Sequence, residues 1–245
     1  MEVRMHRFVL AEFNTHRVFS RNSASSRAIP VRRTLGRVAE DPAIPLGWPT
    51  EQKGMQGGEP LGEQEADQAL EIWLKARDQA IESASQLATL GVHKSVTNRL
   101  LEPFMWHTVI VSSTEWENFW GLRLSALAQP EMGAVASLMR EAYLGSNPTP
   151  LAYGQWHLPY IRTEDQDLPV EQQCKISAAR CARVSYLTHD GVRDPDKDIE
   201  LYDRLVTVTP PHASPLEHVA TPCSGLGDHL HRGNFEGWDQ LRHSV

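Results

Sequence analysis

Residues 15–27 read Thr-His-Arg-Val-Phe-Ser-Arg-Asn-Ser-Ala-Ser-Ser-Arg. This stretch supplies three guanidinium groups, one imidazole, one amide and four serine hydroxyls. Arginine binds phosphate or carboxylate through two parallel hydrogen bonds, and hydroxyls and backbone N–H groups complete such a site. The stretch therefore predicts a binding segment for a charged, planar ligand. A solvated loop rich in arginine and serine is the alternative.

The positive charge of the chain is concentrated around this segment. The first 37 residues hold eight arginines and two acidic residues, a formal charge of +6, whereas the whole 245-residue chain carries −7. The remainder therefore carries −13. A positive patch on an acidic protein favours a small anionic ligand, because a long polyanion would be repelled by the rest of the surface.

Length and composition indicate a globular protein, which we interpret as a single domain over residues 1–245. No apolar run approaches the ~18 residues of a membrane span, and the first residues lack the apolar core of a secretory signal. The cysteines Cys174, Cys181 and Cys223 show no C-x-x-C spacing, which argues against a disulfide framework and a cysteine zinc site. We therefore expect a cytoplasmic protein without a metal ion.

Hydrophobic periodicity predicts several helices and one clear strand. Apolar residues recur at steps of three and four over residues 63–90, which indicates a long amphipathic helix ended by Gly91. Residues 105–113 alternate and are rich in β-branched side chains, as is typical of a strand. The other predicted helices span residues 115–127, 131–144, 176–186 and about 196–206.

Local signals refine this pattern. Thr114 and Glu117 have the spacing of a capping box, which predicts the start of the helix at 115–127. Residues 41–62 are dense in proline and glycine and are predicted to form a long surface loop, of a length that suits a lid. A second loop or linker is predicted over residues 145–173.

Four blocks of the sequence resemble the flavin-dependent thymidylate synthases (ThyX). The signature of that family is Arg-His-Arg, seven further residues and Ser, with an Asn inside and an Arg two residues later. The residues that match it are His16, Arg17, Asn22, Ser25 and Arg27. The second block comprises Arg99, Pro103, Asn118, Leu122-Arg123, Ala128-Gln129 and Glu131. The remaining two are Ala182-Arg183-Val184-Ser185 and His212-Ala213-Ser214-Pro215-Leu216-Glu217-His218.

The order of these blocks differs from the usual family order, in which the last two come before the Arg-His-Arg segment. The chain therefore resembles a circular permutant, a form that hints at a phage enzyme. Its sequence also departs from the family pattern within the pocket: Thr15 replaces Arg, Glu12 replaces the usual Gln, and Ser23 and Ala28 replace Glu and Tyr. Gln240 and Arg242 are candidates to restore an amide and a guanidinium there.

The resemblance implies FAD as the cofactor. The residues assigned to it are His16, Arg17, Asn22, Ser112, Thr114, Asn118, Ser214 and Glu217. For Asn118 the alternative is a polar side chain on an exposed helix face. For His212 and His218 the alternatives are a satisfied core position or, less readily, a metal site.

The resemblance also implies dUMP as the substrate. The residues assigned to it are Glu12, Ser23, Ser25, Ser26, Arg27, Arg99 and Arg123. Arg123 and Ser25 are the candidates for catalytic roles, because a guanidinium that donates to O2 and N3 of the pyrimidine would stabilise the charge that makes C5 nucleophilic. A salt bridge on the helix surface is the alternative for Arg123.

The implied reaction transfers a one-carbon unit from methylenetetrahydrofolate to C5 of dUMP, with reduction by NADPH through FAD, and gives dTMP. The implied fold is α/β (α+β), a mixed sheet flanked by helices, assembled as a homotetramer with active sites between subunits. Neither a membrane nor a nucleic acid is an expected partner. Two other functions stay open: a flavin- and folate-dependent pyrimidine hydroxymethylase, and an arginine-rich nucleic-acid-binding protein, which a steep salt dependence of oligonucleotide binding would reveal.

Overall fold

A three-stranded antiparallel sheet lies at the centre of the fold. The computed structural model describes residues 1–186, 194–223 and 234–245. The strands of the sheet are β1 (Glu2–His6), β2 (Ser20–Ser23) and β3 (Trp106–Ser112), in the order β1-β3-β2. β3 confirms the strand predicted at 105–113. β2 is part of the segment 15–27, so the sheet itself holds the predicted binding residues in place.

Helices surround this sheet. In the described part of the chain they are α1 (Leu10–Phe13), α2 (Val31–Glu40), α3 (Glu63–Thr89), α4 (Lys94–Thr97), α5 (Glu117–Arg123), α6 (Pro130–Leu144), α7 (Val170–Tyr186) and α8 (Pro195–Thr207). A second, two-stranded sheet pairs β4 (Ala220–Pro222) with β5 (Trp238–Gln240). The architecture confirms the predicted mixed α/β class, although the strand pairs of both described sheets are antiparallel and not mixed as predicted. None of the described helices is both long and apolar enough to cross a bilayer.

The two faces of the central sheet are covered by different elements. Side chains alternate across a strand, so Val3 and Met5 of β1 lie on one face with Val109 and Val111 of β3. They pack with apolar residues of α1, α5 and α6 in one buried cluster. On the other face Ile110 packs against Cys181 and Val184 of α7. The C-terminal half of the chain is thus held directly against β2 and β3.

The predicted long helix is confirmed as α3, which ends at Thr89. Gly91 follows with φ of +79°, a left-handed conformation that glycine adopts without the steric cost of a Cβ, so the helix stops there as predicted. The helices predicted at 131–144 and 196–206 are also confirmed, as α6 and α8.

The capping box predicted at Thr114 is wrong. α5 begins at Glu117, and the residue that precedes it, Trp116, makes no capping hydrogen bond with its side chain. Ser113 explains the difference, because its Oγ accepts from the N–H of Glu115 and folds the chain into a turn before the helix. The Oγ of Thr114 instead accepts the N–H of Glu236.

Two predicted boundaries also need correction. α5 ends at Arg123 rather than at residue 127, because Ser125 turns the chain: its Oγ accepts from the N–H of Leu127. α7 begins at Val170 rather than at residue 176, so the linker predicted over 145–173 is shorter than expected.

A buried ion cluster joins α7 to its neighbours. The guanidinium of Arg180 donates to both carboxylate oxygens of Asp165, to Oδ2 of Asp198 (2.9 Å) and to the carbonyl of Tyr160 (2.8 Å). Arg183 donates to the other oxygen of Asp198 at 2.7 Å. The side chains of Arg180 and the two aspartates are almost inaccessible to solvent. These hydrogen bonds hold the pKa of Asp165 below its usual value and offset the cost of burying the charges.

Three of the buried histidines predict that the protein is sensitive to mild acid. Burial lowers the pKa of His16 to about 4, with the charges of Arg123 and Arg21 adding to the effect. Burial likewise lowers the pKa of His107 and of His218 to about 3. An unfolded histidine titrates near ~6.5, so between about pH 6.5 and 4 the unfolded state binds protons that the folded state does not. We therefore expect the melting temperature to fall steadily from pH 7.5 to pH 4.5.

Thermal denaturation across this pH range tests the expectation. Replacing the fully buried His218 with Gln should reduce the steepness of the pH dependence by about one proton per molecule at pH 5. Replacing the exposed Gln68 of α3 with Asn alters no titratable group and should leave it unchanged. A melting temperature that is constant from pH 7.5 to pH 4.5 would show that these histidines are not held in the neutral state.

Candidate functional site

The segment 15–27 is anchored by its own aromatic and basic side chains. His16 is buried, with ring contacts to Phe19 (5.6 Å between centroids) and to Phe119 of α5 (4.9 Å). Nη1 of Arg21 lies within hydrogen-bonding distance of three carbonyls, those of Phe13, Asn14 and His16. Arg21 therefore closes the loop between α1 and β2, and its guanidinium supports the segment from inside.

Arg123, at the end of α5, converges on the same loop. Its Nε donates to Nε2 of His16 at 2.9 Å, its Nη1 donates to Oε2 of Glu12 at 3.2 Å, and its Nη2 donates to Oγ1 of Thr15 at 3.1 Å and to the carbonyl of Glu12 at 3.3 Å. Because the lowered pKa keeps His16 neutral, the imidazole can accept this hydrogen bond. Glu12 and Thr15, which depart from the family pattern, thus both contact Arg123, the residue predicted to be catalytic.

A pocket of about 490 Å³ opens beside this cluster. Glu12, Arg123 and residues 126–130 line one side of it, and parts of the segment 46–60 line the other. The loop predicted over 41–62 therefore lies over the pocket, as a lid would. Its base is fixed, because the buried carboxylate of Glu131 accepts the N–H of Leu46 at 2.9 Å.

The tip of this loop is built differently from its base. Pro49 and Pro60 form a β-bridge, and the N–H of Thr50 donates to the carbonyl of Glu59 at 2.9 Å, so the tip is a narrow hairpin-like projection. Met55 at its end is almost fully exposed. The amide of Gln56 reaches the carbonyl of Leu127 across the pocket at 3.4 Å.

The serine-rich end of the segment lies beside Arg99. Ser25 accepts the N–H of Arg27 with its Oγ, and the guanidinium of Arg27 points into solvent. Ser26 donates to Oε1 of Glu102 at 2.8 Å, and Arg99 donates to the same oxygen at 2.7 Å. Glu102 therefore joins Arg99 to the loop of Ser25 and Arg27, which are the residues predicted to bind the nucleotide phosphate.

Four of the residues predicted to bind FAD come together on the other side of β2. Nδ2 of Asn22 donates to the carbonyl of Cys181 at 2.7 Å, and Ser214 lies 3.4 Å from Oδ1 of the same asparagine. Ser112 bonds to Nδ1 of His218 at 3.0 Å, and Glu217 follows Ser214 in a 3-10 helix (Ser214–His218). The C-terminal blocks thus fold onto the N-terminal signature segment.

The C-terminal strand completes this cluster. The amide of Gln240 donates to Oγ of Ser20 at 2.9 Å and to the carbonyl of Glu217 at 2.7 Å, and Arg242 pairs with the carboxylate of Glu217. These two side chains therefore support β2 and Glu217. The hypothesis that they restore an amide and a guanidinium to the site stays a prediction, and the hydroxyl of Thr15 itself accepts from Arg123.

Three of the exposed residues predicted to bind a ligand have uncommitted side chains. Arg17 and Asn118 have no hydrogen-bond partner for their side chains within the described residues, and the same holds for the guanidinium of Arg27. Ser23 lies half-buried at the end of β2, and Thr114 accepts a backbone N–H. The uncommitted guanidinium and amide groups fit the anionic diphosphate and the carbonyl-rich ring edge of a flavin nucleotide. The donor set is therefore suited to such a cofactor.

The residues that sequence reasoning missed are those that support the site. Asn98 and Glu102 each bridge parts of the chain that are far apart in sequence, whereas Arg21 closes its own local loop. The sequence indicates Arg21 only as a potential ligand. Glu102 lies three residues after Arg99, a spacing that permits an ion pair on one helical turn. That spacing was the available signal for Glu102.

The model of the family described as thymidylate synthase complementing protein matches residues 1–149. No curated protein matches the chain. Two solved structures of the UMP/dUMP methylase PolB from Streptomyces cacaoi, with 5-Br dUMP and with 5-Br UMP, each align at 18% identity over 58% of this chain. The TM-scores are 0.47 and 0.46, and the alignments cover 64% and 66% of the PolB chains, just under two thirds of their length.

Proposed function

We propose a thymidylate synthase activity for this chain, which belongs to the thymidylate synthase complementing protein family of flavin-dependent thymidylate synthases. In this proposal the protein transfers a one-carbon unit from methylenetetrahydrofolate to C5 of dUMP, with reduction by NADPH, and forms dTMP. The observation that carries the proposal is the convergence of Arg123, Glu12 and neutral His16 at the edge of a covered pocket of about 490 Å³. A guanidinium at the wall of such a pocket is placed to recognise a ring that carries carbonyl oxygens.

In this proposal the nucleotide lies between Arg123 at one end of the site and the arginines that bind its phosphate at the other. Arg123 faces the pyrimidine, where its donors stabilise negative charge on the ring as C5 becomes nucleophilic. Four N–H groups of Arg123 already bond to Glu12, Thr15 and His16, so the ring would use the remaining N–H or displace Thr15. Ser25, Arg27 and Arg99 bind the phosphate. The loop 41–62 closes over the nucleotide and excludes water.

FAD, when bound, would carry the reducing equivalents from NADPH to the transferred carbon unit. The residues that would hold it are Asn22, Ser112, Ser214 and Glu217 around β2, with Arg17, Thr114 and Asn118 at the edge. The exposure of Arg17 and Asn118 supports a cofactor site completed by another subunit, as in a homotetramer. A cytoplasmic location and a permuted, phage-like origin belong to the same proposal.

The absorbance spectrum of the purified protein tests this function. We expect a flavin spectrum, release of FAD on denaturation, and a spectral change when dUMP is added. The variant Arg17→Ala should weaken FAD binding, because it removes a guanidinium that is exposed beside the site. Arg140→Ala, an exposed arginine on α6, is the matched control.

Protein that contains no FAD, and that binds none at micromolar concentration, would contradict the proposal. Product analysis separates the related reactions, since a hydroxymethylase would release a hydroxymethyl pyrimidine instead of dTMP. Binding to an oligonucleotide with a steep salt dependence, together with the absence of flavin, would instead indicate a nucleic-acid-binding protein.

A further inference from the structure

The loop that carries Ser25 and Arg27 is held by one short stretch of chain. Nζ of Lys94 donates to the carbonyl of Ala28 at 3.0 Å. Nδ2 of Asn98, whose side chain is fully buried, donates to the carbonyls of Ser26 (2.6 Å) and Ile29 (3.0 Å). Each of these carbonyls belongs to a turn, where the regular bonding of a strand or helix is missing. Residues 94–98 therefore fix the backbone of the loop.

Glu102 extends this support to the side chains. Its Oε1 accepts from Oγ of Ser26 at 2.8 Å, from Nη1 of Arg99 at 2.7 Å and from Nη2 of Arg7 at 3.3 Å. Three donors from three parts of the chain thus meet at one oxygen. The carboxylate of Glu102 is mostly shielded from solvent, whereas the side chain of Arg99 is half exposed. Arg99 lines a pocket of about 500 Å³ together with Arg7 and Asn14.

We infer that Glu102 is a positioning residue that sets the distance between Arg99 and the Ser25–Arg27 loop, so that the two halves of an anion site move as one rigid unit. The inference rests on the proposed function for the identity of the anion, the phosphate of dUMP. Glu102 does not touch the ligand in this scheme. It acts through Ser26, which it holds, and through Arg99, which it orients.

The direction of the change in dUMP affinity distinguishes a positioning role of Glu102 from a purely electrostatic one. Glu102 is negative and lies close to the proposed phosphate site, so its removal alone should strengthen the binding of an anion. Weaker binding after removal can only come from lost geometry. Glu102→Gln keeps an acceptor oxygen of the same shape for Ser26 and Arg99 and removes the charge, whereas Glu102→Ala removes both.

Two measurements test the inference. For Glu102→Ala we expect the dissociation constant of dUMP, measured by calorimetry, to rise about tenfold to hundredfold, the scale on which small misplacements act. Deoxyuridine, which lacks the phosphate, should bind as it does to the unaltered protein. Glu102→Gln should bind dUMP at least as tightly as the unaltered protein. Glu82→Ala, which removes an exposed carboxylate from α3, serves as the control.

Hydrogen exchange gives a readout that needs no ligand. The N–H groups of Ala28 and Ile29 donate to the carbonyl of Ser25 inside the loop, so their exchange should be faster in Glu102→Ala and unchanged in Glu102→Gln. Tighter dUMP binding by both variants would overturn positioning and indicate that Glu102 only competes with the phosphate. Unaltered exchange and affinity in Glu102→Ala would also overturn it. Unaltered protein that binds no dUMP would overturn the proposed function and the phosphate role of Arg99.

Discussion

Replacing Arg180 with Ala is expected to lower the free energy of unfolding by about 3–5 kcal/mol, because it leaves the carboxylate of Asp165 buried without its ion-pair partner. The carboxylate of Asp198 would keep Arg183 alone. Such a loss is a large part of the total stability of a domain, about 5–15 kcal/mol. Denaturation with urea, followed by circular dichroism, measures the change. Since α7 also supplies the carbonyl that accepts from Asn22, the variant should disturb the site beside β2 as well.

Two further variants control this measurement. Arg204→Ala removes an exposed arginine from α8 and should change the free energy of unfolding by less than about 0.5 kcal/mol. Asp165→Asn keeps the shape of the acceptor but removes one charge, so it should cost less than Arg180→Ala. Because Arg180 holds the pKa of Asp165 below its usual value, the stabilisation is complete above about pH 4 and is lost as the pH falls below that. An Arg180→Ala protein as stable as Arg204→Ala would show that the cluster contributes nothing net.

The sequence predicts those elements of the fold that depend on patterns among neighbouring residues. The apolar period of residues 63–90 and the alternation of residues 105–113 each depend on neighbours within one element, and α3 and β3 match them. The start of α5 depends on competition instead. Ser113 and Thr114 both have hydroxyls that can cap a helix, but Ser113 accepts the nearby N–H of Glu115 and Thr114 accepts the distant N–H of Glu236, so neither caps α5.

The candidate site also divides into features that local sequence patterns predict and long-range contacts that they do not. The signature residues His16, Asn22 and Ser25 could be recognised from their spacing, yet nothing local reveals which distant group each one meets. Asn22 bonds to a carbonyl 159 residues away in sequence, and Arg123 reaches Glu12 across 111 residues. Glu102 is the sharpest case, because its ion pair with Arg99 is local but its contact with Ser26 spans 76 residues. Only the arrangement of β2 between the helices produces these pairings.

Replacing Arg123 with Ala is expected to lower turnover by about two to three orders of magnitude, the range for the loss of one donor that stabilises charge formed during a reaction. The proposed function places the guanidinium against the pyrimidine, where negative charge grows as C5 becomes nucleophilic. FAD content should stay the same, because Asn22, Ser112 and Ser214 lie on the other side of β2. Steady-state formation of dTMP at saturating dUMP measures the change, with oxidation of NADPH followed in parallel.

Conservative variants distinguish this role from a structural one. Arg123→Lys keeps the positive charge but loses the planar fork that bonds to His16 and Glu12 together, so it should restore little of the turnover. Thr15→Val removes only the hydroxyl that accepts from Arg123 and should leave turnover within about threefold, since an exposed hydrogen bond contributes little. Arg27→Ala, by contrast, should mainly raise the KM for dUMP, because a phosphate contact is similar in the ground state and the transition state. Near-normal turnover by Arg123→Ala at saturating dUMP would mean that Arg123 only ties α5 to Glu12 and His16, and the charge that forms on the ring would then need another donor.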